Sequence, residues 1–251
     1  MIKRQTDSAM MKVINKIIDD ELDEVKQVRQ QLNKIPISVN RKKQMRFLTR
    51  RGINVDITHR CSLECPRCQR STSFIFKGIK VPGEDLTTQN FAKVVEHFNH
   101  VNFCGQVSDP VHHPKFVEFL EMLYKENKST SVHHASAGKG MNWYPKAFKA
   151  NPHARWWLAL DGTPDSSPTY RINQDGWKMY EIMKIAKEHL TTTPVWQFIV
   201  FNYNEDEIKI AHKMAKEIGI DFVIINSSRW LGEDDPLKPS NPELSLSLNN
   251  G

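Results

Sequence analysis

Between residues 51 and 230, segments typical of buried β-strands alternate with segments typical of helices, and this alternation constrains the fold most strongly. The predicted strands cover residues 51–57, 101–105, 130–136, 155–161, 194–202 and 221–226. The predicted helices cover residues 88–99, 113–127, 143–150, 175–189 and 205–218, and Thr87 is the expected cap of the first. Because strands and helices alternate, the strands should run parallel, with helices crossing over between them.

The length of this region predicts the number of strand–helix units. Six units fit in about 180 residues at roughly 30 residues each, whereas an eight-unit barrel needs roughly 250. We therefore predict an α/β fold, a partial (β/α)6 TIM-like barrel, over residues 51–230. Its interior should be polar, because Asn54, Asp56 and Thr58 alternate with apolar residues along the first strand. Chemistry in such barrels takes place at the C-terminal ends of the strands.

Two flanking regions complete the predicted organisation of the 251-residue chain. Residues 1–50 combine an amphipathic helix over 8–35 with a basic linker. That helix either docks on its own domain or pairs two chains as a dimer, because its apolar spacing is close to a heptad. Residues 231–251 contain several Pro, Ser and Asn residues, and we expect them to form a poorly ordered C-terminal tail.

Charge and hydropathy limit the expected partners and surroundings. The formal net charge is +6, and much of the excess lies in residues 41–51, which form either a solvated linker or a patch for an acidic partner. No RNA-binding motif with interleaved aromatic residues accompanies the patch, so nucleic acid is not indicated. We find no segment apolar enough to span a membrane and no secretory signal, and therefore expect a protein of the reducing cytoplasm.

Three of the four cysteines stand close together, directly after the first predicted strand. Cys61, Cys65 and Cys68 have the spacing C-x3-C-x2-C. Three thiolates on one loop can bind three irons of a [4Fe–4S] cluster and leave the fourth iron without a protein ligand. The alternatives are a zinc site completed by His59 and a cluster used for electron transfer. We expect the fourth cysteine, Cys104, to be a buried apolar residue.

The C-x3-C-x2-C motif after a first strand resembles the signature of the radical S-adenosylmethionine (SAM) enzymes. In that family the open iron chelates the amino and carboxylate groups of SAM. The reduced cluster then passes an electron to SAM, and the resulting 5′-deoxyadenosyl radical takes a hydrogen atom from the substrate. The resemblance covers about residues 51–230. It implies a [4Fe–4S] cluster and SAM as cofactors, and an external one-electron donor of the flavodoxin or ferredoxin type.

The resemblance also implies a SAM pocket at the ends of the second and third strands. Asp109 follows Ser108 and precedes a proline, where the family usually has Gly-Glu-Pro, and is expected to accept a hydrogen bond from the SAM amino group. Ser136 is expected to reach the SAM carboxylate. Three positions depart from the family pattern: Arg67 replaces an aromatic residue before the third cysteine, Ser108 replaces the Gly of Gly-Glu-Pro, and Ala137 replaces the Asn of Thr-Asn-Gly.

Three further residues are predicted to contact SAM from the fourth and fifth strands. Asp161 is expected to accept from a ribose hydroxyl or to touch substrate, and Arg171 to pair with the SAM carboxylate. Asn202, at the end of the fifth strand, is expected to help position SAM. Simple turns after the strands are the alternative explanation of Asp109 and Asp161.

Together these features predict a radical SAM enzyme that cleaves SAM and abstracts hydrogen from a substrate. A peptide or protein side chain is the first expectation, because the short barrel with its substituted Asp109 segment resembles the peptide- and protein-modifying branch of the family. A nucleotide or another small metabolite, or activation of a glycyl-radical enzyme, are alternatives within the same class. A non-catalytic iron–sulfur or zinc-binding protein is the alternative from another class.

Overall fold

The computed structural model describes residues 52–78, 83–226, 230 and 232–244. All of them belong to one compact unit, Arg50–Gly251. The predicted amphipathic helix over 8–35, the basic segment 36–51 and residues 245–251 lie outside the described residues. In the part of the chain that is described, no helix has both the length and the apolar character that a membrane crossing requires.

Six parallel strands form one sheet, and each strand pairs with the next along the chain. They are β1 (Gly52–Val55), β2 (His100–Phe103), β3 (Ser129–His134), β4 (Arg155–Ala159), β5 (Val195–Ile199) and β6 (Asp221–Ile225). The spatial order follows the chain from β1 to β6, so the described sheet is linear with β1 and β6 at its edges. The predicted parallel α/β architecture is confirmed. Each strand ends earlier than predicted, because the residues that follow it turn into the loops of the site.

Six α-helices accompany the sheet in the described ranges. They are α1 (Gln69–Lys77), α2 (Thr88–His97), α3 (Phe116–Lys125), α4 (Tyr144–Ala150), α5 (Gly176–His189) and α6 (Ile208–Glu217). Helix α2 is capped as predicted, since the Thr87 hydroxyl accepts from the backbone N of Asn90 at 3.2 Å. Helix α1 was not predicted. It begins directly after Cys68 and follows no clear apolar repeat.

Alternation of side chains gives the sheet two chemically different faces. One face packs on the helices and is apolar and aromatic, with Val101, Phe103, Val132, Trp156, Leu158, Trp196 and Phe198 fully buried. Each such side chain contributes about 1.5–3 kcal/mol through burial, so this face carries much of the stability of the fold. The other face is polar and partly open: Asn102 donates to Asn54 between β2 and β1 at 2.8 Å. This polar face leads to the site.

Candidate functional site

A cavity of about 260 Å³ lies at the C-terminal ends of the strands. Cys61, Cys65 and Cys68 line it from the loop that follows β1. Asp109 lines it from the loop that follows β2, and Arg171 from the segment that follows β4. The carboxyl ends of parallel strands share one edge, so residues distant in sequence meet here.

The cysteine loop keeps its shape through short-range hydrogen bonds. The backbone N of Cys68 donates to the carbonyl of Cys65 at 3.1 Å, which closes a turn between the second and third cysteines. The Arg70 guanidinium donates to the carbonyls of Leu63 at 2.8 Å and of Cys61 at 3.2 Å. Cys68 also occupies the N-cap position of α1, at the positive end of the helix dipole.

Burial controls the charge of the first two thiols. Burial raises the pKa of Cys61 to about 12, the carboxylate of Asp109 adds to the rise, and the Leu63 N–H and Arg70 oppose it. Burial also raises the pKa of Cys65, against the opposing charge of Arg171. Both thiols therefore keep their protons until a metal displaces them, so that binding of iron releases protons.

The arrangement of the sulfurs is compatible with a cubane cluster. Among the described residues, no three His, Cys, Asp or Glu side chains converge so as to hold a single metal ion. A [4Fe–4S] cluster instead places each thiolate on a different iron, so the three sulfurs need only border one common space. The free thiols of Cys61, Cys65 and Cys68 meet that condition. His59, the proposed fourth zinc ligand, does not line the cavity.

Asp109 lies at the centre of a buried hydrogen-bond network. Its carboxylate accepts from the backbone N–H groups of Ser136 at 2.8 Å and Ala135 at 2.9 Å. It also accepts from His134 Nδ1 at 2.9 Å, and His134 Nε2 lies 3.1 Å from the hydroxyl of Tyr144. Burial alone would raise the pKa of Asp109, but the charge of His134 and the hydrogen bonds from His134 and Ala135 hold it well below its usual range. Asp109 thus clamps the loop after β2 to the end of β3.

Two predicted SAM contacts lie behind the wall of the cavity. Ser136 is buried, and its hydroxyl lies 3.1 Å from His112 Nε2. Asp161 is fully buried: one oxygen accepts from Arg171 Nε at 2.7 Å and the other from the backbone N of Ile199 at 2.7 Å. Contact of either side chain with SAM stays a prediction. Both already have partners within the chain.

Arg171 brings a cation to the cavity beside the cysteines. Its Nε is bound to Asp161, and its Nη1 lies 3.9 Å from Cys65 Sγ. Burial alone would lower the pKa of Arg171, but the negative charge of Asp161 outweighs it and holds that pKa above its ordinary value. The guanidinium therefore stays charged, with its outer nitrogens on the cavity side. This geometry suits a carboxylate ligand.

Asn202 lies apart from the cysteine cavity. It is exposed and borders a second hollow together with Asp235 and other residues of 232–244. Its neighbour Asn204 is buried and binds Asp161 O at 3.1 Å and Ile199 O at 3.0 Å. The structure therefore brings Asp109 and Arg171 to the cysteines, whereas Asn202 borders a different space.

Sequence reasoning missed Gln174 and underrated Cys104. Gln174 is buried and donates to the carbonyls of Ala135 at 2.6 Å and Ala159 at 2.9 Å, so it joins the ends of β3 and β4. No signal in its neighbourhood marks it. Cys104 is half-buried and lines the cavity, with Sγ 3.6 Å from the carboxylate of Asp56. Cys104 directly follows β2, whose side chains alternate between the two faces of the sheet. This position was the available signal that its thiol borders the site.

Residues 232–244 pack against the cysteine loop, whereas the sequence predicted a poorly ordered tail. Arg67 donates to Asp235 at 2.9 Å, and the Asp235 side chain is 1% exposed. Leu237 packs in the apolar cluster that also contains Leu63 and Cys65. The physical reason is that the buried carboxylate of Asp235 needs a cation, and Arg67 of the cysteine loop provides it.

Replacing Asp235 with Ala is expected to release this segment. The substitution removes the ion pair with Arg67 and the bond from the Leu237 N–H at 2.9 Å. Hydrogen exchange at the backbone amides of Leu237 and Lys238 should speed up about tenfold, corresponding to the roughly 1–3 kcal/mol of a buried hydrogen-bond group. The control is Glu233→Gln, which disturbs an exposed pair with Lys238 and should change exchange little. If the amides of Leu237 and Lys238 exchange at the same rate in both variants, Asp235 does not hold this segment against the cysteine loop.

The described parallel α/β fold occurs in several solved proteins of 12–14% identity. It is similar to that of Streptococcus suis SuiB bound to S-adenosylmethionine, with a TM-score of 0.57 and 12% identity over 92% of this chain and 56% of that chain. The structure of SuiB bound to its precursor peptide SuiA gives a TM-score of 0.55 and 12% identity over 85% of this chain and 52% of that chain. TYW1 with a lysine–pyruvate adduct bound gives a TM-score of 0.54 and 14% identity over 73% of this chain and 67% of that chain.

These similarities concern the fold. The chain spans about 55% of the length of SuiB. No family model matches the chain, and no curated protein matches it.

Proposed function

We propose that this chain is a radical SAM enzyme that binds a [4Fe–4S] cluster through Cys61, Cys65 and Cys68. The observation that carries the proposal is the meeting of these three thiols with the charged Arg171 in one cavity at the carboxyl edge of a parallel sheet. When bound, the cluster supplies the electron with which SAM is cleaved. One electron from an external donor and one hydrogen atom from the substrate convert SAM into methionine and 5′-deoxyadenosine.

In the proposed reaction, the protein's own residues bind SAM and hold the surrounding loops in place. Arg171 is placed to take the SAM carboxylate by a charge-assisted hydrogen bond, since Asp161 fixes its Nε and its Nη1 lies beside Cys65 at the cavity. Asp109 sets the loop after β2 by binding the N–H groups of Ala135 and Ser136. We assign Asp109 to the SAM pocket through this loop. A flavodoxin- or ferredoxin-type protein is the proposed electron donor.

A peptide or protein side chain is the proposed substrate. SuiB, which shares the fold, is a radical SAM enzyme whose structure has been solved with a precursor peptide. Its structure with SAM supports SAM as the cofactor of the shared fold.

The decisive experiment is the detection of SAM cleavage. After anaerobic reconstitution with iron and sulfide, addition of dithionite and SAM should yield 5′-deoxyadenosine, measured by chromatography. The same preparation without dithionite is the control and should yield none. Arg171→Gln should weaken SAM binding at least tenfold, because a neutral side chain replaces a charge-assisted contact of about 1.5–3 kcal/mol. An intact cluster that forms no 5′-deoxyadenosine would instead favour a non-catalytic cluster protein.

A further inference from the structure

The polar face of the sheet contributes three neighbouring side chains to the cysteine cavity. They are His133 on β3, Trp157 on β4 and Gln197 on β5, and we call them the strand triad. His133 is paired in register with Trp157, and Gln197 with Ala159, two residues beyond Trp157. The triad therefore spans three adjacent strands below the loops that carry the cysteines and Arg171.

The members of the triad hold one another in place. The His133 ring lies nearly parallel to that of Trp157, with centroids 5.4 Å apart and an interplanar angle of 11°. His133 Nδ1 lies 3.4 Å from Gln197 Oε1. Arg155 lies 5.1 Å over the Trp157 ring and pairs with Asp221 at 3.6 Å, so its charge is engaged outside the cavity. Rigid strands thus present His133 and Gln197 at fixed positions.

The hydrogen-bonding capacity of this pair can be counted. A neutral imidazole has one donor and one acceptor, and a glutamine amide has two donors and an acceptor oxygen. One hydrogen bond between His133 and Gln197 uses one donor and one acceptor. This holds for either histidine tautomer and for either orientation of the amide. At least one donor and one acceptor therefore remain side by side for a ligand.

The pair is also uncharged. Burial lowers the pKa of His133, and the hydrogen bond with Gln197 offsets part of that fall, so the ring is neutral near pH 7. The charged side chains that line the same cavity have partners of their own. Asp109 binds His134 and two backbone N–H groups, and Arg70 binds two carbonyls. Arg171 binds Asp161 and, in the proposed function, the SAM carboxylate. A charged ligand group buried against the triad would lose its hydration without gaining a counter-ion.

We propose that the strand triad binds a neutral amide group of the substrate, whose N–H and C=O pair with the free donor and acceptor of His133 and Gln197. Trp157 holds the imidazole in place. The inference rests on the proposed function and narrows its substrate class: the part held in the cavity is an amide, and cationic and anionic groups are rejected. A peptide bond and an Asn or Gln side chain share this chemistry.

The test uses four small probes of similar size with the cluster-loaded, SAM-bound protein and no reductant, so that no turnover occurs. Butyramide represents a side-chain amide, N-methylbutyramide a peptide bond, butyrate an anion and butylammonium a cation. Ligand-observed NMR titrations should show at least one amide binding tenfold or more tightly than both charged probes. The better of the two amides identifies which source of the group the site accepts.

Variants connect this preference to the triad. Gln197→Glu keeps the size of the side chain and adds a carboxylate, so amide binding should fall at least tenfold and butylammonium binding should rise. His133→Phe keeps the ring on Trp157 and removes both nitrogens, so amide binding should fall without a gain for the cation. The control is Asn102→Asp, which adds the same charge on the polar face of β2 outside the lining of the cavity. Asn102→Asp should bind the amide probes in preference to the charged probes, as the wild type does.

Three results would overturn the inference: equal binding of all four probes by the wild type, no detectable binding of either amide, or the same change of preference in Gln197→Glu and Asn102→Asp. Each result can occur while the wild type still forms 5′-deoxyadenosine, which would leave the proposed function intact. Conversely, a preference for amides without SAM cleavage would support the triad and refute the proposed function.

Discussion

Replacing any one of Cys61, Cys65 and Cys68 with Ala is expected to abolish retention of a [4Fe–4S] cluster. Each sulfur would ligate a different iron, so no neighbouring thiolate can take over its position. Iron after anaerobic reconstitution and desalting should fall from about four atoms per chain to less than one, and the sulfur-to-iron charge-transfer absorbance should disappear. The apo protein should unfold within about 1 kcal/mol of the wild type, because a small free thiol is lost.

Cys104→Ala is the matched control for these variants. Cys104 lines the same cavity, but it stands at the end of β2 with its thiol directed to Asp56 at 3.6 Å. Its loss should leave the iron content unchanged. A cluster that survives removal of Cys61, or one that is lost with Cys104, would contradict the assignment of the three ligands.

Replacing Asp109 with Ala is expected to destabilise the protein by about 3–5 kcal/mol, through buried donors that lose their acceptor. The donors are His134 Nδ1 and the backbone N–H groups of Ala135 and Ser136. For a unit of this size the thermal midpoint should fall by about 10 °C or more. Differential scanning calorimetry of the reconstituted protein measures the shift. Asp175→Asn is the control, because Asn also caps a helix well and α5 should remain stable.

The same carboxylate predicts a dependence of stability on pH. The pKa of Asp109 is lower in the folded protein than in the unfolded chain, because His134 and the bound N–H groups outweigh the effect of burial. Its contribution to stability is therefore fully present above about pH 5 and decreases as the pH falls toward the folded-state pKa. The gap in thermal midpoint between wild type and Asp109→Asn should narrow between about pH 5 and pH 3. A gap that is constant with pH would contradict an ionised Asp109.

The fold was largely predictable because its pattern is local and repeated. Strand β5 reads as a short apolar run, and a single polar residue, Gln197, marks its inner face. Helix α1 was missed because Arg70, Ser71, Thr72 and Ser73 carry no apolar repeat. Its start is determined by the turn between Cys65 and Cys68 and not by helix propensity.

The site residues were predictable only where they lie together on a single loop. The cysteine spacing identified the three candidate ligands, since all of them lie within eight residues of one another. The partners of Asp109 lie 25–27 residues away on another strand, and no spacing rule connects them. Of two departures from the family pattern, Ser108 gains a hydrogen-bond role in the structure and Ala137 does not. Ser108 donates to Asp56 at 2.7 Å, and Ala137 takes a left-handed φ of 49°, which favours Asn or Gly over Ala.

The pairing of Arg67 with Asp235 joins residues 168 positions apart, and that separation has a consequence in time. At about 5–20 residues per second, a ribosome makes Asp235 roughly 8–34 s after Arg67. The contacts of Arg70 to Cys61 and Leu63 span only nine and seven residues, so these contacts can form within this interval. The contact between the cysteine loop and Asp235 can form only after it.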